Sequence, residues 1–371
     1  MTKVMTVVGT RPEIIRLAAV MKRLDRSVDH VIVHTGQNYD YELNEVFFQD
    51  LGLRRPDHFL NVDTSSLGAV LGGVLTSVEK VIAEEEPDAF LVLGDTNSCV
   101  AALMAKRMRV PVYHMEAGNR CFDENVPEET NRRMVDHVAD FNLVYTEHAR
   151  RNLLTEGLQP RRILLTGSPM KEVLLAQREQ IDSSDVLSRL KLEKGRYFLV
   201  SAHREENVDR PERLADLLDC LEAVATTYDL PVLVSTHPRT RKRLEALGRD
   251  VDERVIFHPP LGFNDYNHLQ LQARCVLSDS GTIAEESSIL GFPAVTLRDA
   301  IERPEALDTG AIIMTGLDPQ NVIEAIDQVA MCDSESTMPT DYQIANCSVR
   351  TVNFILSTHR RHEQWSGLRG K

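Results

Sequence analysis

No apolar run in this 371-residue chain approaches the roughly 20 residues that a membrane-spanning helix needs. The six cysteines (Cys99, Cys121, Cys220, Cys275, Cys332 and Cys347) form no C-x-x-C pair and no metal-like spacing. That pattern argues against a zinc ribbon or redox dithiol and for reduced thiols in a cytoplasmic protein. The stretch KVMTVVGT near the amino terminus is too short for the apolar core of a signal peptide and lacks a small-residue cleavage site. Basic excess is missing too: the formal net charge is −14, against an unspecific nucleic-acid binder with its basic face. Such a balance bears on solubility and still allows a local basic pocket. Two nucleotide signatures are absent. No G-x-G-x-x-G follows the first apolar run and no G-x-x-x-x-G-K-[ST] occurs anywhere, which disfavours NAD(P) and Walker-type ATP chemistry. Low-complexity tracts and short-period repeats are absent as well.

What is present is a long chain of ordinary globular composition, 42% hydrophobic and 26% charged. Its length exceeds what one core usually organises, so two domains are expected. Short apolar runs alternate with amphipathic stretches, the pattern of parallel sheets covered by helices. The first half offers strands at Val4–Val8, Val31–Thr35, Phe90–Gly94, Val110–His114 and Phe141–Tyr145, with helices at Glu13–Leu24 and Leu67–Glu85. The second half offers Phe198–Ala202, Val232–Thr236, Val255–His258, Cys275–Ser278, Ala294–Leu297 and Ala311–Met314, with helices at Glu212–Thr226 and Ile283–Leu290. Gly167 and Pro169 interrupt the pattern in LLTGSPMKEV and mark the seam. The expected domains are 1–167 and 168–353; the segment Tyr342–His359 reads as helical, and a terminal helix at about 354–371 is expected to pack back on the first. Two doubly wound α/β domains make an interdomain cleft at the carboxyl edges the expected ligand site.

The strand ends are polar: GTRPE, HTGQN, GDTNS and HMEAGNR in the first half, then SAHREEN, STHPRT, SDSGT and RDAIERPE. They would bring Arg11, Asp95, Glu116, His203, Arg204, His237 and Arg239 to one edge. Any one of these alone is ordinarily a solvated loop residue; together they suggest an anionic ligand. Ser280, Gly281 and Thr282 lie between a strand and a helix, where a hydroxyl can cap and glycine admits an anion to backbone N–H groups. An ordinary helix cap is the alternative. Glu286, one turn on, is placed to meet ribose hydroxyls. At GTRPE, Thr10 is a candidate cap, Pro12 suits a first helical turn, and Arg11 offers a permanent cation. The combination points to a nucleoside diphosphate bound without the familiar glycine-rich motifs.

From Gly9 to Glu305 the motifs GTRPE, TGQ, GDT, EAG.R, PEE.NR, HR.E, DSG…EE and ERPE, in this order, resemble the non-hydrolysing UDP-N-acetylglucosamine 2-epimerases. The resemblance implies a GT-B fold of two Rossmann-like domains and an isomerase that inverts C2 of a UDP-N-acetylhexosamine. It also implies elimination and re-addition of UDP, no cofactor or metal, a homodimer, and no nucleic-acid or membrane partner. The longer stretches VHTGQNYDYELNEVFF, NRCFD..VPEETNRR.VDH, SAHREENVD and LGF.DYNHLQ are similar to a subgroup. Its members convert UDP-2-acetamido-2,6-dideoxy-L-talose to UDP-N-acetyl-L-fucosamine for capsule and O-antigen sugars.

Carried over by position, the resemblance assigns acid/base roles to Asp95, Glu116 and Glu128, and puts the family's catalytic histidine at His203, near the leaving diphosphate. It puts Arg132 in the phosphate site, Glu286 at the ribose, and Phe263 beside uracil, with plain packing as the alternative for Phe263. Arg11 and the Ser280–Gly281–Thr282 turn would meet the diphosphate, and Arg16 and Arg204 would belong to the substrate- and UDP-binding set. Two positions depart from the family pattern. Arg16 stands where the family commonly has lysine, implying an electrostatic role, since Arg does not trade protons as Lys does. Asn38 replaces the histidine of TGQH, in a segment that binds an activating second UDP-GlcNAc in many bacterial members. The competing readings are UDP-GlcNAc/UDP-ManNAc interconversion, a GT-B glycosyltransferase, and a nucleotide-sugar sensor.

Overall fold

The computed structural model describes residues 1–36, 48–331 and 338–368. The chain divides into two compact units, Met1–Ala176 with Ile344–Lys371, and Gln177–Gln343.

The first unit is built on seven parallel strands: β1 (Lys3–Val8), β2 (Asp29–His34), β3 (His58–Phe59), β4 (Ala89–Leu93), β5 (Val112–Met115), β6 (Phe141–Val144) and β7 (Ile163–Leu165). Their order is β3-β2-β1-β4-β5-β6-β7, with Met5 level with Val31 on one side and Phe90 on the other. Every residue of β4 is buried. Helices cover both faces of a parallel sheet, so its strands read as continuous apolar runs. On one face Met5, Val7, Val33, Phe90 and Val92 pack against Val74 and Val78 of helix Leu67–Glu85. That helix starts where the Ser66 side chain accepts from the Ala69 amide, as an N-cap should.

The second unit repeats the plan with β8 (Phe198–Ser201), β9 (Val232–Ser235), β10 (Val255–His258), β11 (Cys275–Ser278), β12 (Ala294–Thr296) and β13 (Ile313–Met314), in the order β10-β9-β8-β11-β12-β13. Its core joins Phe198, Val200 and Leu277 to Leu217, Leu221 and Val224 of helix Pro211–Tyr228. Both sheets therefore follow the Rossmann order, and the expected GT-B class of two such units holds. In each, the strand order reverses once, between β1 and β4 and between β8 and β11, and such a reversal opens a crevice at the carboxyl ends. GTRPE and GDTNS flank the first crevice; SAHREEN and SDSGT flank the second.

Each strand read from the sequence is present, within a residue or two at its ends. The reading missed β3 and β7, of two and three residues, which form the two outer edges of the first sheet. An edge strand pairs on one side only, and so short a run carries no period. At the carboxyl end, helix Cys347–Thr358 lies beside helix Arg11–Ser27 in the first unit, where Arg23 Nε donates to Ser348 Oγ at 2.9 Å. The Tyr113 hydroxyl bonds Thr358 Oγ1 at 2.7 Å, and Phe354 meets Phe141 edge-on with ring centroids 5.5 Å apart. Among the described residues no helix is long and apolar enough to cross a membrane, and Cys99, Cys121, Cys220, Cys275 and Cys347 are free thiols.

Candidate active site

The carboxyl end of β1 runs straight into helix Arg11–Ser27, with Pro12 in its first turn and Arg11 half-buried at its start. Thr10 holds the N-cap position with an extended backbone but makes no side-chain cap hydrogen bond. Glu13 takes over instead: its Oε2 accepts from the Gly9 amide at 2.5 Å. Its other oxygen accepts from Thr96 Oγ1 and, at 2.9 Å, from Ser98 Oγ. One buried carboxylate thus ties the loop after β1 to the loop after β4. Burial pushes the Glu13 carboxyl up to about 7, against the pull of the Thr96, Ser98 and Gly9 hydrogen bonds.

A raised folded value has a definite sign. The stability it contributes is full below the ordinary 4.5 and is lost as pH rises through about 7. Across that window Glu13→Gln should remove a loss of roughly 3 kcal/mol from the pH dependence of wild-type stability. Chemical denaturation at several pH values measures this; equal slopes in the two proteins would reject the assignment.

Asp95 follows β4 with its side chain 21% exposed. Arg132, buried on helix Pro127–Val138, donates to Asp95 Oδ2 through both Nε, at 3.0 Å, and Nη2, at 2.5 Å. Oδ1 is left without a hydrogen-bond partner among the described residues. Arg132 Nη1 donates to Glu129 Oε2 at 2.6 Å, an i,i+3 pair on the same helix. Glu129 also accepts from the Cys121 amide at 3.2 Å and from Arg133 Nε at 3.0 Å. Burial acts to raise the Glu129 carboxyl, but the Cys121 amide and the Arg132 charge hold it below its usual range. Glu128 sits half-buried in the first turn of that helix.

Glu116, on the loop after β5, holds a left-handed backbone with φ 66°, an uncommon state for a residue with a side chain. Its carboxylate is paired with Arg16 Nη1, and both side chains are largely buried, at 12% and 4% exposure. Arg16 also faces the Tyr145 ring, 6.0 Å from its centroid. A Cβ placed on Gly94 would lie 3.8 Å from Glu116 Oε2, so Glu116 stands beside the residue preceding Asp95. The two acids are braced from below by His114. Its Nε2 is 2.9 Å from the Gly94 carbonyl, and its Nδ1 is 2.9 Å from Asp136 Oδ1. Asp136 accepts in turn from the Gly118 amide at 3.1 Å and from Arg120 at 2.7 Å. Gly118 has φ 81°, and a Cβ there would meet the Ala149 carbonyl oxygen at 2.3 Å, so no other residue fits the turn.

The second unit repeats the stapling device. Asp279, fully buried just past β11, accepts from the His203 amide at 3.0 Å, the Arg204 amide at 3.0 Å and Asn207 Nδ2 at 3.2 Å. The His203 ring projects with 49% exposure, its Nδ1 3.5 Å from Asp279 Oδ1. Arg204 Nη2 donates to Glu302 Oε1 at 3.0 Å, and Arg298 Nη1 donates to Glu302 Oε2 at 2.5 Å. A Cβ on Gly281 would come within 2.7 Å of Glu302 Oε1, which accounts for glycine in the Ser280–Thr282 turn. Thr282 holds an N-cap position without a side-chain cap bond, and its hydroxyl instead pairs with Ser280 Oγ at 2.9 Å. Arg303 donates to the Gly281 carbonyl at 2.8 Å and to Glu285 at 2.5 Å. Glu286 accepts from Gln270 Nε2 at 2.6 Å. Phe263 opens helix Phe263–Gln272 and is 6% exposed.

Of the remaining sequence candidates, His237 is exposed just before helix Pro238–Leu247, which carries Arg239. The Arg239 side chain and Asn38 lie outside the described residues. Sequence reasoning gave no role to Glu13, Glu129, Asp136 or Asp279. The i,i+3 spacing of Glu129 and Arg132 was a readable signal; apart from the Gly9 amide that Glu13 caps, the partners of the other three lie farther off along the chain.

Residues 22–356 match the protein family described as UDP-N-acetylglucosamine 2-epimerase. The solved UDP-N-acetylglucosamine 2-epimerase of Rickettsia bellii is 43% identical, with a TM-score of 0.90 and 98% of each chain covered. The Methanocaldococcus jannaschii UDP-GlcNAc 2-epimerase, crystallised with UDP-GlcNAc and UDP, is 33% identical with a TM-score of 0.90, covering 96% of this chain and 100% of that one. The UDP-2,3-diacetamido-2,3-dideoxy-D-glucuronate 2-epimerase of Pseudomonas aeruginosa is 34% identical over 87% of this chain and 91% of its own length.

Proposed function

The chain belongs to the UDP-N-acetylglucosamine 2-epimerase family, and from that premise we propose that it inverts C2 of a UDP-N-acetylhexosamine by eliminating and re-adding UDP. The proposed substrate is UDP-2-acetamido-2,6-dideoxy-L-talose, converted to UDP-N-acetyl-L-fucosamine for capsule or O-antigen synthesis by a cytoplasmic homodimer. Membership in the family makes the protein an isomerase.

The observation that supports the chemistry most is the pair Asp95 and Glu116, two carboxylates at one crevice, each oriented by its own buried arginine. The C2 hydrogen has no adjacent carbonyl to acidify it. A base must therefore remove it while the C1–O bond to UDP breaks, and a proton must then return to the opposite face. Asp95 handles the C2 proton in this reading, with Glu116 and Glu128 completing the acid/base set. Charge grows on the departing diphosphate, so preorganised donors there lower the barrier. Arg11, Arg204, His203 and the Ser280–Gly281–Thr282 turn supply them, Arg16 acts as a fixed charge, Glu286 holds ribose and Phe263 adjoins uracil.

The second reading, UDP-GlcNAc/UDP-ManNAc interconversion, draws on the names of the Rickettsia and Methanocaldococcus proteins. The Pseudomonas relative, 34% identical against 33% for the Methanocaldococcus protein, is named for a sugar altered at C3 and C6, so likeness of that degree accommodates different sugars. Incubation in D₂O with each UDP-sugar, followed by NMR, is the test. Deuterium should enter C2 of a sugar that is recovered joined to UDP and not released free, and turnover should be faster with the 6-deoxy-L-talose compound. Transfer to an acceptor without C2 exchange, as by a glycosyltransferase, would overturn the reading; faster turnover of UDP-GlcNAc would select the second substrate.

A further inference from the structure

We propose that Arg132 is a positioning residue for Asp95, locked in place by Glu129, and does not contact the diphosphate, the role that family resemblance implies for it. An arginine fork usually grips both oxygens of a carboxylate. Here Nε and Nη2 converge on Oδ2 alone, at 3.0 and 2.5 Å, and Oδ1 has no hydrogen-bond partner among the described residues. That arrangement fixes the plane of the carboxylate while keeping one oxygen available to take a proton. Arg132 is itself poorly placed to serve a ligand, because its side chain is only 4% exposed.

The opposite end of the guanidinium is anchored as firmly. Nη1 donates to Glu129 Oε2 at 2.6 Å, and the Glu129 side chain, also 4% exposed, is held by the Cys121 amide and by Arg133. One guanidinium shared by two carboxylates has no spare positive charge with which to attract an anionic diphosphate. Its chemistry is that of a bracket, running from Cys121 through Glu129 and Arg132 to Asp95. The inference rests on the epimerase reading, since it presumes a C2 proton for Asp95 to handle.

The test uses the full-length chain, UDP for binding, and C2 exchange and epimerisation of whichever UDP-N-acetylhexosamine the wild type turns over. R132K keeps the charge and loses the fork, so kcat should fall about 100-fold while the Kd of UDP stays within about threefold. E129Q should cost about tenfold in kcat, also without weakening UDP. In a D95N background, R132K should cost less than about threefold, because the group it orients is already disabled. Weakening of UDP by about tenfold or more in R132K would overturn the inference, as would an R132K cost undiminished by D95N. Thermal melts check folding; if R132K does not fold, E129Q with and without D95N carries the same two readouts. A wild type that leaves C2 unexchanged with every UDP-sugar would overturn the epimerase reading itself, a result distinct from either of these.

Discussion

Asp95→Asn should lower turnover about a thousandfold, within the range ascribed to positioned acid/base groups, and leave the Kd of UDP within about threefold. The substitution preserves shape, so the loss isolates proton transfer. The Arg132 fork supplies only donors to Oδ2, so the introduced amide must turn its oxygen toward Arg132. Its NH₂ group then stands where Oδ1 stood. A site that presented a proton acceptor would now present a donor, and C2 deprotonation would lose its base. NMR of the C2 epimers measures turnover and titration with UDP measures affinity. Equal weakening of UDP with unchanged turnover would make Asp95 a binding residue instead.

Asp279→Ala should cost about 3–5 kcal/mol in the stability of the second unit and lower its thermal transition by about 10 °C. Asp279 is fully buried and satisfies the amides of His203 and Arg204 and the side-chain amide of Asn207. Removing the carboxylate strands three donors at once, and a buried donor without a partner costs about 1–3 kcal/mol. Loss of the staple also releases the loop that carries His203 and Arg204, so UDP affinity should fall in parallel. Asp279→Asn keeps one acceptor oxygen and should fall between the two. Calorimetry of the three proteins decides the matter: a transition that moves by less than about 2 °C in the alanine variant would show that the loop does not depend on Asp279.

Much of the architecture was legible because it is written locally. Strands such as Phe90–Leu93 and Val276–Leu277 are apolar on both faces, the mark of a parallel sheet with helices above and below. The motif GTRPE announces a helix start through Pro12, and the helix begins at Arg11. Where the local signal was thin, the reading was incomplete. β3 and β7 are too short for any periodicity, and the threonines before two helices occupy cap positions without making cap bonds.

By itself, the sequence determined the two Rossmann-like sheets and the polar motifs that end their strands, since hydrophobic period and turn chemistry are properties of a few neighbouring residues. The tertiary structure alone decided which group each of those motifs would grip. Asp95 meets Arg132 across 37 residues, Glu13 meets Thr96 across 83, and Glu116 meets Arg16 across 100. The Glu13 contact exists because the strand order sets β1 beside β4, and the other two because helices Pro127–Val138 and Arg11–Ser27 carry Arg132 and Arg16 to the loops after β4 and β5. For these three carboxylates the choice of partner is settled by that long-range pairing and by the burial that makes an unpaired charge costly, neither of which leaves a mark on the residues next to them in the chain.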